Sequence, residues 1–351
     1  MTDCIIVGGG LIGMLSAREL KKKGMNVLVL DKGEMGKESS WAGGGILSPL
    51  HPWRYSDDVN ELANVGHKKY PQVAKNLFEE SGIDPEYYRC GMLVLDQNDQ
   101  PNDQASAIEW SKKWSMNLSV INQQSELQRL LPGLSEDCSH GLWMPDIAQL
   151  RNPRLVKSVK GSLDALNITY KENAEVERLN VENGKVTGVV VAGEKLYADK
   201  VLIAGGAWSA KLLQPYADTP DIEPVKGQMI LFKGPPGLLN RIILAENRYL
   251  IPRIDGRILC GSSIEHCGFN KSISTIVKHD LLDSAISLFP GLKDLELEHH
   301  WAGLRPGSPE GMPYIGKHQE IEGLFVNAGH YRNGVILGIG SAYRIADMMT
   351  A

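Results

Sequence analysis

Residues 4–13, CIIVGGGLIG, read together with residues 27–31, VLVLD, decide the fold of this chain. Cys4 to Val7 are apolar and mostly β-branched, the composition of a buried strand. Gly8, Gly10 and Gly13 then fall on the G-x-G-x-x-G spacing. Residues 11–23 read as a helix closed by Gly24, and a second apolar strand ends on Asp31. Strand, glycine turn, helix, strand and acid together make the βαβ dinucleotide fingerprint. Gly8 permits the tight turn, Gly10 lets the backbone approach a pyrophosphate, and Gly13 lets helix pack on strand. The helix N-terminus offers free N–H groups and a partial positive charge to phosphates. Asp31 accepts hydrogen bonds from a ribose 2′-hydroxyl and repels a 2′-phosphate. The motif alone does not separate FAD from NAD.

At 351 residues the chain has room for two cores. Charged residues make up 23% and the net charge is −5, which argues against a nucleic-acid-binding surface. The 37 glycines exceed the usual share of about 7%, as expected where backbone lies close to a ligand. Cys4, Cys90, Cys138, Cys260 and Cys267 are scattered and form no C-x-x-C, so they read as reduced thiols of a cytoplasmic protein. A strand at residue 4 leaves no room for a signal peptide, and no apolar run approaches the roughly 18 residues of a membrane span.

After Asp31, residues 32–50 carry Gly43, Gly44 and Gly45 in succession. Such a run costs folding entropy, so something is expected to approach closely there. Residues 57–81 read as a helix. The texture then changes, and 87–147 read as an insertion with strands at 91–96 and 118–122 and helices at 101–116 and 125–131. Asn152-Pro153 opens a helix to about residue 166. A β-meander over 175–197 turns at Asn183-Gly184. Residues 199–209, DKVLIAGGAWS, form another buried strand ending in glycines. Residues 222–305 are strand-rich with one helix at 278–288. The chain closes with a strand at 324–327, a glycine-rich turn over 328–340 and a helix over 341–349.

With these residues placed, the chain resembles the D-amino acid oxidase superfamily of FAD enzymes, and within it the glycine oxidase branch, associated with thiamine thiazole synthesis. The matching stretches run from end to end: IIVGGGLIG with Asp31, SSWAGGGILSPLHPWRY (39–55), AQLRNPRL (148–155), VLIAGGAWS (201–209), PVKGQMILF (224–232), RYLIPR (248–253), WAGLRP (301–306), PYIG (313–316) and AGHYRNG (328–334). The resemblance implies an α/β fold. A Rossmann-like FAD-binding domain would comprise 1–86, 148–220 and 306–351. A second, antiparallel-sheet substrate domain, from 87–147 and 221–305, would roof the flavin. It implies FAD as cofactor, contacted by Gly8, Gly10, Leu11, Ile12, Gly13, Asp31, Lys32, Ser39, Ser40, Gly43, Gly44, Gly45, Ile46, Leu47, Val176, Ala204, Gly205, Trp208, His330, Arg332, Asn333, Gly334, Val335 and Ile336. The closing helix, starting near Gly338–Ser341, would point its N-terminus at the flavin N1/C2 edge. The sarcosine oxidase branch tethers its flavin to a late cysteine. This chain has none after Cys267, so its FAD is expected to be non-covalent.

The activity implied is oxidation of glycine or a small amino acid or amine. A hydride leaves Cα for flavin N5, giving an imine, and O2 is reduced to hydrogen peroxide. Such a site needs a carboxylate clamp, and Arg305 is the main candidate because its fork pairs both oxygens. Tyr249 adds a hydroxyl and Arg332 a second cation. Ile264 is expected to line the side-chain pocket. So is Asn247, which stands where the glycine oxidase pattern has a histidine. The His residues make no metal-ligand spacing. Two alternatives stay open: a D-amino acid dehydrogenase using a quinone or protein acceptor, and a flavin-binding subunit without activity. Expected partners are a small amino acid and O2, with no nucleic acid and no membrane, and a homo-oligomer is left open.

Overall fold

The first strand, Cys4–Val7, lies at the centre of a six-stranded sheet in the computed structural model, which describes residues 2–95, 101–246 and 248–351. Its neighbours, Lys200–Ile203 on one side and Val27–Leu30 on the other, are both parallel to it. Cys4, Ile5 and Ile6 are fully buried, as a strand covered on both faces requires. Leu324–Ala328 extends the sheet in parallel beyond Lys200–Ile203 and is edged by the antiparallel Tyr314–Lys317. Thr169–Lys171, a strand too short and polar to show in the sequence, closes the other edge.

Four of the described helices share one core beside the sheet: Leu11–Lys22, Asp57–Ser81, Asn152–Ala165 and Gly334–Thr350. The last one departs from expectation. It begins at Gly334 rather than near residue 341, so the supposed turn over 334–340 is helical. Glycine is a poor helix former, but here it serves packing. A side chain at Gly340 would press on the Leu62 backbone, and one at Gly338 on Leu15 and Ile12. Close helix approach outweighs the propensity loss.

The second sheet has eight strands and holds a separate hydrophobic core against the helix Thr275–Leu288. The strands Glu223–Lys233, Ile242–Ala245, Arg248–Pro252, Arg257–Gly261 and Glu296–Gly307 supply most of it. Met92–Leu95, Ser119–Ile121 and Gly141–Met144 complete it. The sheet is mixed rather than purely antiparallel. Met92–Leu95 pairs in parallel with Ile242–Ala245 because the chain reaches that edge by a long excursion rather than by a hairpin. The meander Val176–Glu182, Lys185–Val191 and Glu194–Tyr197 forms a small third sheet. Among the described residues no helix is long and apolar enough to cross a membrane.

Candidate functional site

A cavity of about 450 Å³ is lined from both large sheets. The six-stranded sheet presents the carboxyl ends of its strands: Val7, Leu30, Ile203, Asn327 and Ala328. That is where α/β sheets bind ligands. The eight-stranded sheet presents Gly227, Met229, Tyr249, Ser262, Gly303 and Arg305.

The glycine turn is built as its spacing demands. Gly8 has φ +111°, and a Cβ on it would overlap the Ala204 carbonyl. A Cβ on Gly13 would overlap the Gly8 carbonyl, so Gly13 serves packing and lies off the cavity wall. The helix Leu11–Lys22 has no acidic residue in its first turn and no side-chain cap from Gly10. Ser40 comes across from the following loop and accepts the Leu11 N–H at 2.9 Å. Asp31 reaches the cavity wall with one carboxylate oxygen accepting from Gly9 N–H at 2.7 Å and the other from Gly33 N–H at 2.9 Å. Burial raises its pKa against those two bonds.

Carboxylates on the wall gather at this nucleotide end. Asp31, Glu38 and Glu175 surround Lys32, whose Nζ lies 3.4 Å over the Trp208 ring. At the other end stand Arg305, Arg332, Tyr249 and Tyr331, mutually close. Arg305 is half-buried. Its Nη1 donates to the carbonyls of Lys226 (3.3 Å) and Ser263 (3.2 Å), and its Nη2 donates to Ser262 Oγ at 2.6 Å. A Cβ at Gly227 would overlap the guanidinium, so Arg305 lies on bare backbone there. Arg305 forms no ion pair with a carboxylate among the described residues, and burial pulls its pKa down. Tyr249 lies close over Gly261 and next to Gly44. His330, 1% exposed, meets Ser341 Oγ at 3.0 Å, and burial lowers its pKa to about 3, so its ring is neutral.

The structure therefore gathers on one wall Gly8, Gly10, Leu11, Ile12, Asp31, Lys32, Ser39, Ser40, Gly43, Gly44, Gly45, Ile46, Val176, Ala204, Gly205 and Trp208. His330, Arg332, Gly334 and Val335 join them, with Arg305 and Tyr249 opposite. Leu47 and Ile336 point into the hydrophobic core instead. Asn333 is buried just ahead of the closing helix and off the wall. Ile264 does not line the cavity. Ser263 and Glu265 turn their side chains toward Gln228, which leaves Ile264 between them 40% exposed. Asn247 lies outside the described residues. Ser262, Gly227, Asn327, Ser209 and Tyr331 line the wall unanticipated. Gly227 and Asn327 reach it through strand pairing, Ser262 just past a strand end, Ser209 at a helix start and Tyr331 in a turn, and their spacing in the sequence does not show that they meet.

An elongated, polar and anionic dinucleotide fits this wall. Asn152 Oδ1, Ser209 Oγ and Asn327 Oδ1 all line it, are buried and have no partner among the described residues. The N–H groups of Gly44, Gly45 and Ile46 likewise find no acceptor among them. The buried side-chain oxygens require a partner, and the amides of the partly exposed glycine run are open to one. The family model described as FAD dependent oxidoreductase, DAO, matches residues 3–348. The chain belongs to that family. It is 45% identical to a glycine oxidase of Pseudomonas putida, over 99% of this chain and 94% of that one. It is 30% identical to a bifunctional ThiO/ThiG protein of Synechocystis, over 99% of this chain and 51% of that longer one. The solved glycine oxidase of Geobacillus kaustophilus superposes with a TM-score of 0.94 at 29% identity, covering 99% and 94% of the two chains. The protein is an FAD-dependent oxidoreductase.

Proposed function

We propose that this DAO-family enzyme carries out oxidative deamination of glycine or a small amino acid or amine, with O2 as final acceptor. The observation that carries the reading is the division of the cavity. One end is fitted to a nucleotide; the other holds Arg305 with no carboxylate partner among the described residues. A half-buried guanidinium without an anion favours a ligand that brings one. Bound FAD supplies the hydride acceptor, and its reoxidation by O2 gives hydrogen peroxide. Around it, Gly8, Gly10 and the amides of 44–46 would hold pyrophosphate and ring. Asp31 would hold the ribose. Arg305, fixed by Ser262 and two carbonyls, would orient the substrate carboxylate, with Tyr249 and Arg332 beside it. Among the described residues no lining carboxylate stands at that end to keep an ammonium protonated, so the site suits an amine that binds neutral. The glycine oxidase and ThiO relatives support glycine as substrate and a place in thiamine synthesis. FAD held without a covalent bond belongs to the same reading.

The test is an anaerobic screen of the yellow holoenzyme with glycine, sarcosine, D-alanine and L-alanine, followed by admission of air. Flavin bleaching fastest with glycine, sarcosine or D-alanine, and peroxide on aeration, is the expected result. Faster bleaching by L-alanine, or reduction without peroxide, overturns the substrate reading or the oxidase reading respectively.

A further inference from the structure

Arg253 ends the strand pair that carries Tyr249, yet it does not line the cavity. It is 6% exposed and no carboxylate lies within ion-pair distance among the described residues. The nearest acids, Glu86 and Asp255, are taken by others. Arg151 meets Asp255 at 2.8 Å and Glu86 at 3.4 Å, Arg154 meets Glu86 at 3.1 Å, and Arg257 meets Asp255 at 2.8 Å. Arg253 bonds only to neutral acceptors: Gln149 Oε1, the Leu150 carbonyl at 3.1 Å and the Gly44 carbonyl at 2.9 Å. Burial lowers its pKa to about 10, which still leaves it protonated at neutral pH.

A buried cation among carbonyls is costly unless something offsets it. Here two things are joined to it. The first is the glycine loop. Gly44 is on the cavity wall, and Leu47 N–H donates to the Ala148 carbonyl while Leu150 N–H donates to the Gly45 carbonyl. Arg253 ties the middle of this loop, at Gly44, to the 149–150 strand behind it. The second is position. The ring of Tyr249 lies about 3.4 Å from where a Gly44 side chain would begin, so the charge sits one peptide behind the cavity's substrate end.

We propose that Arg253 is a positioning residue whose fork holds Gly44 in the cavity wall and whose fixed charge favours the reduced, more negative state of the flavin. The inference rests on FAD binding and not on the identity of the substrate. Two measurements test it on wild type, Arg253→Lys and Arg253→Met. FAD affinity is read from fluorescence titration of the apoprotein. The two-electron midpoint potential of the holoenzyme is read by anaerobic equilibration with a reference dye. Arg253→Met is expected to bind FAD at least tenfold more weakly. Its reduction equilibrium should shift at least tenfold toward the oxidised form, about 30 mV for a two-electron couple. Arg253→Lys keeps the charge but not the fork, so it should lose FAD affinity while holding the wild-type potential. A purely structural role would move affinity in both variants and the potential in neither. A wild-type potential in Arg253→Met, or an equal fall in both variants, overturns the proposal. If Arg253→Met does not fold, Arg253→Gln takes its place. Weakened FAD binding with a tenfold shift toward the oxidised form, while Arg253→Lys holds the wild-type potential, supports the proposal, and a wild-type potential in Arg253→Gln defeats it.

Discussion

The two ends of the cavity are made in opposite ways. The heart of the nucleotide end is written in one continuous run, residues 4 to 31, and its determinants are backbone: a glycine at φ +111°, a helix start without a cap of its own, an acid held by two amides. The substrate end is assembled from side chains on strands far apart in sequence: Tyr249, Ser262 and Arg305 around Gly227. Backbone geometry holds any dinucleotide of the right shape. Side-chain geometry sets what reacts beside it. The division implies that changes at the two ends separate cofactor binding from substrate binding.

The strongest way to break the division is Arg305→Ala. It should leave FAD bound and raise the half-saturation for glycine by about two to three orders of magnitude, the worth of a partly desolvated bidentate pair. Arg305→Lys should recover only part, since an ammonium lacks the fork. Stopped-flow flavin reduction reads both, and an unchanged half-saturation moves the clamp to Arg332. At the other end, Asp31→Ala should weaken FAD binding by about 1.5–3 kcal/mol with little change in half-saturation once FAD is saturating. Equilibrium titration of the apoprotein decides whether Asp31 reaches the ribose. A subtler probe is Gly227→Ala, whose methyl would displace the Arg305 guanidinium. A rise in half-saturation of about tenfold is expected, because one bond lost is near 1.4 kcal/mol, with wild-type FAD affinity.

The smallest effect concerns acid. His330 has a folded pKa of about 3 against 6.5 for a free histidine. The unfolded chain therefore binds a proton that the folded protein refuses. Its contribution to stability is whole above pH 6.5 and is lost as pH falls toward 3. The loss is about 1.4 kcal/mol per pH unit, or about 2 kcal/mol by pH 5. His330→Gln should flatten that part of the slope in urea unfolding at pH 7 and pH 5. His67, lowered to about 4 by burial, adds a similar slope that the variant leaves in place.

The contrast between the ends also explains what could be read in advance. Gly8, Gly10 and Asp31 could be placed because spacing within one βαβ unit dictates their geometry. Arg305 and Tyr249 needed the family likeness, since no local rule joins residues 249 and 305. Ser262 and Gly227 escaped notice because their importance lies in what they leave room for or touch across the sheet. Ile264 turns away from the cavity because strand alternation past Ser262 is set by pairing with Gln228 and Lys226, which the sequence does not display. The closing helix starts earlier than its sequence suggests because its glycines look like a turn until their helix neighbours are known.

The position of the first strand has a consequence for how the protein is made. Cys4–Val7 leaves the ribosome well before its neighbour on one side, Lys200–Ile203, and the strand beyond that is Leu324–Ala328. Until more than half of these 351 residues have been synthesised, an apolar strand of the sheet centre stands with one edge open. An open edge of this kind invites pairing with other chains, and long-range parallel pairing is slow to form. The nascent chain is most exposed to aggregation before residue 203, and Leu324–Ala328 joins the sheet only more than a hundred residues later.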